Sequence, residues 1–472
     1  MSLLCAPACA DKELDASDPA KEGEACVPDD QEGRHCESDL ACEPTTENGY
    51  VCGAPFVLRG QVVDALSGVA IPDAIVAALD ETGSPIGDAA RTDANGNYEL
   101  TVVALRDPDG ELASMVRWTM FSVALDYTPF PGGVRPAIPV DASAPTDGKD
   151  DDDHDVRVVE NATTTIALIP ADMMHTGGRT IEGTIGGEHP GGTLVVAEGK
   201  TVPAPYTIAD RSGNFVLFNV QGGATSIRGY RRGLELEPAM IDPMSSGKVE
   251  LEVLYEDEGL ATVSGSVNIV NAPGGSMTSV VLVPSSVYDA VLERGPVPAG
   301  LRAPRPPGAP SVSSAFTIDG VPGAEYHVLA AFENDTLVRD PDTSIGGTEQ
   351  QIVMVPSAGN ATVPESFKIT EALQVIGPGA ETPEIVTGAP MLVWADDSSE
   401  DQYQVVVFDA LGKKVWEDLD VPRVTGSGNV TVAYEGPLTP GMYYQFRATS
   451  MKDGVPISRT EDLRGVFVIA TP

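Results

Sequence analysis

The chain has 472 residues, with 70 acidic and 29 basic side chains and a formal net charge of −41. Nucleic acid and anionic membrane surfaces are disfavoured as partners, because both attract clustered Lys and Arg. The hydrophobic fraction of 42% suffices for several cores, and the 49 Gly and 39 Pro residues favour strands joined by turns over long helices. Length and composition predict an all-β protein of several domains.

The first residues are typical of export. Met1–Ala10 reads MSLLCAPACA, which is short and apolar and has small residues before Cys9. This resembles the end of a bacterial lipoprotein signal, so we interpret residues 1–8 as a signal-peptide remnant and residues 9–25 as a flexible tether. The resemblance implies that Cys9 is lipidated. We expect an exported protein of the outer membrane or cell surface, which contacts the membrane only through its lipid anchor.

A cysteine-rich segment follows at residues 26–54. It has few apolar side chains, so burial alone cannot hold it together. Disulfides are the expected substitute in an exported protein, and the candidates are Cys26, Cys36, Cys42 and Cys52. Four cysteines allow three pairings, and the sequence does not choose between them. A zinc site with His35 beside Cys36 is the alternative, although no Cys-x2-Cys pair is present.

A strand pattern with a central glycine recurs three times. Apolar and polar residues alternate around Gly60, Gly183 and Gly265, as in half-buried strands. In the first two copies a turn rich in Asp, Asn and Gly precedes an aromatic residue, Tyr98 or Phe215. Such a turn delivers the aromatic side chain onto a following strand.

The second and third copies share a longer match. Phe215–Gly222 aligns without gaps with Phe316–Gly323, and an alternating strand follows each. The sequence therefore predicts one supersecondary unit that occurs three times, over residues 56–171, 178–257 and 260–356.

The first copy carries a family resemblance. Gly60–Ala74 (GQVVDALSGVAIPDA), followed by Thr92–Tyr98 (TDANGNY), resembles the carboxypeptidase regulatory-like domain. This resemblance implies a transthyretin-like (prealbumin-like) antiparallel β-sandwich for residues 56–171 and degenerate β-sandwich repeats for the two later copies. Domains of this family act as rigid modules or binding surfaces and have no catalysis of their own.

The last segment, residues 364–472, has a different pattern. Leu438–Phe446 (LTPGMYYQF) resembles the tyrosine-corner strand of fibronectin type III domains, which implies an Ig-like β-sandwich. In that arrangement Tyr444 bonds back to nearby backbone and Trp394 fills the core between the sheets.

An acidic run at Asp147–Asp155 carries six carboxylates in nine residues. Carboxylate oxygens suit Ca²⁺, a hard cation. The candidate ligands are Asp150, Asp151, Asp152, Asp153 and Asp155. Their order does not follow a spaced calcium loop, and a solvated acidic linker is the alternative interpretation. No other metal or cofactor is predicted.

One stretch is locally basic. Arg294–Pro310 contains six prolines and three arginines, Arg294, Arg302 and Arg305, and no acidic residue. We interpret it as a long hairpin loop without regular structure, and a polyproline II segment that docks on a partner is the alternative.

No enzyme signature is present in the sequence, neither a Gly-x-Ser-x-Gly elbow nor a His-Glu-x-x-His pair. We therefore predict a non-enzymatic cell-surface lipoprotein that acts as a stalk or interaction module, with a protein or a glycan as its partner. An accessory or substrate-binding chain of an extracellular hydrolase is one alternative. A Ca²⁺-stabilised adhesin is another.

Overall fold

The computed structural model describes residues 18–28, 32–107, 110–150, 153–199, 201–242, 248–270, 278–306, 308–309, 311–332, 350–370, 372–397, 399–424 and 428–471. In these residues the regular structure consists of strands and one short 3-10 helix, Ser285–Val287. The predicted all-β class is therefore confirmed. These residues contain no helix with the length and apolarity that a membrane span needs.

The strands are numbered in chain order. The N-terminal strands are β1 Ala41–Pro44 and β2 Tyr50–Gly53. Residues 56–171 contain β3 Phe56–Asp64, β4 Ile75–Leu79, β5 Ala90–Arg91, β6 Asn97–Val102, β7 Thr119–Val123, β8 Thr146–Lys149, β9 Asp155–Val159 and β10 Ile166–Leu168. Residues 178–257 contain β11 Arg179–Ile185, β12 Leu194–Glu198, β13 Tyr206–Ile208, β14 Asn214–Val220, β15 Thr225–Tyr230, β16 Leu234–Leu236, β17 Ala239–Ile241, β18 Val249–Leu251 and β19 Val253–Glu256.

The third repeat begins with β20 Ala261–Val270, β21 Thr278–Pro284, β22 Arg302–Ala303, β23 Ala315–Val321, β24 Ala324–Phe332 and β25 Gln351–Val355. It continues with β26 Asn360–Thr362 and β27 Phe367–Thr370. The C-terminal strands are β28 Val375–Gly377, β29 Glu384–Val386, β30 Met391–Ala395, β31 Gln402–Asp409, β32 Lys414–Pro422, β33 Asn429–Ala433, β34 Tyr443–Lys452, β35 Val455–Arg459 and β36 Val466–Ile469.

The chain forms two compact units. The first contains the described residues of 1–58, 101–116 and 142–159, and the second contains those of 59–100, 117–141 and 160–472. Of the predicted first sandwich, residues 56–171, the segments 56–58, 101–116 and 142–159 belong to the first unit.

The first unit is built around the β1–β2 hairpin. Its disulfides pair Cys26 with Cys42 and Cys36 with Cys52. The Glu43 carboxylate, on β1, accepts hydrogen bonds from the Arg106 side chain at 2.5 Å and the Ala104 backbone at 2.8 Å. A buried arginine and a buried carboxylate therefore tie the hairpin to the insertion that follows β6.

The end of the predicted tether belongs to this unit. Ala20 is fully buried, and its backbone N–H donates to the His35 carbonyl at 2.6 Å. Arg34 forms an ion pair with Glu24 at 2.6 Å. Residues 18–25 are therefore packed against the cysteine-rich segment, which the charged composition of this stretch did not indicate. The remaining tether residues, and Cys9, lie outside the described part of the chain.

The three repeats share one sheet topology. The first strand of each repeat, β3, β11 or β20, pairs with a strand that carries the aromatic residue of the repeat, β6, β14 or β23. On its other side it pairs in parallel with β10, β18 or β26. A second sheet has β4, β12 or β21 between two antiparallel neighbours.

The predicted antiparallel sheets therefore contain parallel pairs. In the second and third repeats the chain crosses from the second sheet back to the first before the parallel strand, β18 or β26. In the first repeat β10 follows β9, which itself pairs in parallel with β3. Crossovers permit parallel pairing where a hairpin does not. The third repeat also extends to β27, which pairs with β20. Its end lies beyond residue 356 and inside the segment predicted to begin at residue 364.

The C-terminal sandwich has the sheets β28-β30-β33 and β29-β36-β34-β31-β32. Trp394 is fully buried between them, against Tyr403 and Phe446. The Tyr444 hydroxyl accepts a hydrogen bond from the Thr439 backbone N–H at 3.2 Å. The core role of Trp394 and the backbone hydrogen bond of Tyr444 are both confirmed.

The sandwiches of the second unit share apolar clusters. Leu194 and Tyr230 of the second repeat belong to the same core as Val281 of the third. Another cluster joins Ala65, Val134 and Ile169 of the first repeat with Leu292 of the third repeat and Ala410 of the C-terminal sandwich. The first and last sandwiches of this unit are therefore in direct contact.

Candidate binding cleft

A cleft of about 710 Å³ lies in the second unit, where loops of the three repeats and the C-terminal sandwich meet. Leu79–Gly83 comes from the first repeat, Pro203–Tyr206 from the second, Arg294–Gly300 from the third and Ala410–Leu411 from the last sandwich. Small-molecule sites commonly have volumes of about 300–1,000 Å³. The cleft is therefore large enough for a small molecule or a short chain segment.

The cleft walls are largely apolar. Phe121 and Val123, on β7, and Phe218, on β14, line it and belong to one buried cluster. Burial raises the pKa of Tyr206, also in the lining, to about 12. Prolines from three different loops complete the walls: Pro129, Pro131, Pro139, Pro203, Pro205, Pro296 and Pro298. Because proline fixes φ, these loops present a pre-organised surface.

Three of the acidic residues in the lining accept hydrogen bonds from backbone N–H groups of their own loops. The Asp80 carboxylate accepts the backbone N–H groups of Thr82 and Ser84 at 2.8 and 2.9 Å. Asp289 does the same for Val291 and Leu292 at 2.8 and 3.0 Å. These carboxylates stabilise turns, and each uses its Oδ1 atom for the purpose.

Asp172 is the third of these residues. Its carboxylate accepts the Met174 backbone N–H at 2.9 Å and lies 2.8 Å from His175 Nδ1. Burial would raise the pKa of Asp172, but the contact with His175 outweighs it and lowers this pKa. The aspartate and histidine are three residues apart in one turn, so the pair orders a local loop.

Arg294 is held by an ion network behind the cleft wall. Its guanidinium lies 3.7 Å from Asp462, which also pairs with Arg447 at 3.3 Å. Glu293 lies 3.0 Å from Arg459 and 3.8 Å from Arg447. This network joins the loop of the third repeat to the C-terminal sandwich, and burial lowers the pKa of Arg447.

Arg302 differs from the other cleft charges. It lies on β22 opposite Val281 and is 7% exposed. Its Nε is buried without a hydrogen-bond partner in the described structure. Burial lowers the pKa of Arg302, and the opposing charge that acts on it is the exposed Glu81, which forms no ion pair with it. The cleft wall thus contains a buried cation.

Arg294 and Arg302 come from the basic, proline-rich stretch of the sequence. That stretch lines the cleft instead of forming a free loop, while Arg305 is exposed and lies outside the lining. The feature of the sequence that pointed to this wall of the cleft was the concentration of arginine in an otherwise acidic chain. The opposing wall, from residues 79–83 and 203–206, carried no comparable signal.

The acidic run lies in the first unit. The Asp150 carboxylate accepts the His154 backbone N–H at 2.9 Å and lies 3.1 Å from His154 Nδ1. Lys149 Nζ lies 3.0 Å from the Asp155 carboxylate and donates to the Asp153 carbonyl at 2.9 Å. Asp151 and Asp152 lie outside the described residues. Basic groups thus contact the carboxylates of Asp150 and Asp155, and Ca²⁺ binding stays a prediction.

The cysteine geometry bears on the zinc alternative. Cys26, Cys36 and Cys52 have sulfur atoms within 4.8 Å of one another. All three are engaged in disulfides, however, so none supplies the thiolate that zinc requires.

No protein-family model and no curated protein matches the sequence. Among solved structures, two B repeats of the collagen-binding protein of Staphylococcus aureus align at 11% identity over 88% of this chain and 99% of that chain, with a TM-score of 0.19. BcpA, the major pilin subunit of Bacillus cereus, aligns at 10% identity over 67% and 98%, with a TM-score of 0.17. The chicken CNTN1 FN1-FN3 domains align at 8% identity over 62% and 99%, with a TM-score of 0.15. At TM-scores this low the alignments carry no conclusion about function.

Proposed function

We propose that this chain is an exported, non-enzymatic binding protein of the cell surface, whose ligand occupies the cleft of the second unit. The observation that carries the proposal is the composition of the cleft, to which all three repeats and the C-terminal sandwich contribute. A site built from four sandwiches depends on their mutual packing. This arrangement favours an interaction module over a stalk whose domains need only be connected.

Export is supported by the four cysteines, since disulfides persist in oxidising compartments. We also propose that a lipid on Cys9 attaches the protein to the membrane. The carboxylates of the cleft favour binding over catalysis, because Asp80, Asp172 and Asp289 are used by their own turns. The ligand is a small molecule, or a short segment of a peptide or a saccharide, in keeping with the cleft volume.

The test compares wild-type protein with Ala137→Trp on peptide and glycan arrays. Ala137 lines the cleft, so an indole at this position fills part of the volume. Ile138→Trp is the matched control, because the neighbouring Ile138 is 40% exposed and outside the lining. We expect binding to be retained in Ile138→Trp and lost in Ala137→Trp. Equal binding by all three proteins, or hydrolysis of a bound probe, would contradict the proposal.

A further inference from the structure

The buried guanidinium of Arg302 is the unusual group of the cleft. Arg302 is 7% exposed, its Nε is buried without a hydrogen-bond partner, and no described carboxylate forms an ion pair with it. An isolated buried charge is unfavourable, and proteins normally pair such groups. The position of Arg302 therefore requires a compensating anion for full stability.

The other charged side chains of the lining do not provide that anion. Asp80, Asp172 and Asp289 are engaged by backbone N–H groups of their own loops. Glu81 is exposed and forms no ion pair with Arg302. Arg294 is compensated separately, by Asp462. The unpaired cation thus faces a space that a ligand can enter.

We propose that Arg302 binds the carboxylate of a monoanionic ligand whose apolar body lies against the aromatic and proline walls of the cleft. This rests on the proposed function, since it assigns the ligand chemistry of the same site. A planar guanidinium matches a carboxylate in a two-hydrogen-bond arrangement. One guanidinium carries one positive charge, which a single carboxylate balances.

The ligand chemistry has two sources, a free small carboxylic acid and the terminal carboxylate of a peptide. The experiment uses phenylacetate for the first, and an acetylated Phe-Pro dipeptide with a free C-terminus for the second. Phenylacetamide and the amidated dipeptide are the matched neutral probes. Thermal unfolding of the full chain is measured with each probe, in wild type, Arg302→Met and Arg305→Gln. Arg305 is the control because it is exposed in the same stretch.

We expect a rise in Tm with at least one carboxylate probe in wild type and Arg305→Gln, no rise in Arg302→Met, and none with the neutral probes. Ligand-free Arg302→Met should unfold at the wild-type Tm or above it, because an unpaired buried charge has been replaced by an apolar side chain. A purely structural role for Arg302 would instead lower this Tm.

The proposal is overturned if wild type responds to no carboxylate probe, or if Arg302→Met responds as wild type does. The two proposals fail separately. If array binding is lost in Ala137→Trp but unaffected by Arg302→Met, the cleft is the binding site and the carboxylate assignment is wrong. If Ala137→Trp binds normally, the cleft itself is not the site.

Discussion

The ring of Phe215 occupies the space that a side chain at Gly183 would need. The two residues are opposite each other on β14 and β11, and a Cβ added to Gly183 would lie 2.3 Å from Phe215 Cζ. Gly265 and Phe316 have the same relationship: a Cβ added to Gly265 would lie 2.6 Å from Phe316 Cζ. The glycine and the aromatic residue of the sequence repeat are thus one packing unit.

Gly183→Ala should therefore destabilise the second unit. The added methyl group meets the ring and the Val249 carbonyl, also at 2.3 Å, and overpacking of this kind costs about 1–3 kcal/mol. Gly186→Ala is the control, since its nearest neighbours lie 3.9 and 4.0 Å from the added atom. Urea unfolding measures both. Equal free energies of unfolding for the two variants would show that the ring moves aside.

Tyr444→Phe should lower the stability of the C-terminal sandwich by about 1 kcal/mol, the usual loss for one buried hydrogen bond. The variant keeps the ring, which stacks on Phe467, and removes only the hydroxyl that accepts the Thr439 N–H. Amide exchange at Thr439 should accelerate in parallel. Tyr443→Phe serves as the control, and an unchanged exchange rate in Tyr444→Phe would refute the hydrogen bond.

Asp462→Asn should destabilise the protein by about 3 kcal/mol or more, because it removes the charge of a buried carboxylate that pairs with two arginines. Asp462 pairs with Arg294 and Arg447, and its side chain is 3% exposed. Asp319→Asn is the matched control: that carboxylate is 55% exposed and pairs with Arg232 at the surface. Surface pairs contribute about 0–1 kcal/mol. Similar losses in chemical denaturation of the two variants would contradict the network.

Asp64→Asn should remove part of the stability that the protein has above pH 3.8. Burial alone would raise the pKa of Asp64, but hydrogen bonds from Ser67, Tyr127 and Leu66 outweigh it and hold this pKa below 3.8. A carboxyl with a lowered folded-state pKa stabilises the fold when ionised, and this contribution is lost as the pH falls through the folded pKa.

The difference in free energy of unfolding between wild type and Asp64→Asn should thus be largest near neutral pH and shrink in acid. Denaturation series from pH 7 down to the acid limit measure it. Asp73→Asn, at a carboxylate that is 77% exposed, should show no such trend. A difference that grows in acid would reverse the sign and reject the assignment.

The double variant Cys26→Ser, Cys42→Ser should destabilise the first unit by about 3 kcal/mol, the loop-closure contribution for a loop of this size. The two cysteines are 16 positions apart. Peptide mapping of unreduced protein should recover Cys26 linked to Cys42, and Cys36 linked to Cys52. Any other linkage, or four free thiols, would refute the pairing.

The sequence predicted what depends on local patterns. The alternation around Gly183, the turn before Phe215 and the strand at Tyr444 all lie within a few residues of their structural consequences. The disulfide pairing was open, since it depends on how the segment folds around the β1–β2 hairpin. The packing of Ala20 was missed because a charged stretch outweighed one small apolar residue.

The cleft could not be predicted from the sequence, for a different reason. Glu81, Pro203 and Arg302 approach one another through contacts between repeats, and no local period encodes those contacts. The parallel pairing of β18 with β11 was missed likewise, because it joins strands separated by most of a repeat. Arg302 was noted as part of a basic stretch, but its burial depends on the surrounding repeats.

The shared apolar cluster of Ala65 and Ala410 limits how this architecture can evolve. Linear repeat arrays grow by duplication, since each repeat touches only its neighbours and a new copy disturbs nothing distant. Here an additional repeat between the first and last sandwiches would separate the two halves of the cluster and expose Val134 and Ile169 to water. This packing therefore constrains the number of repeats more tightly than the lengths of the loops on their surfaces.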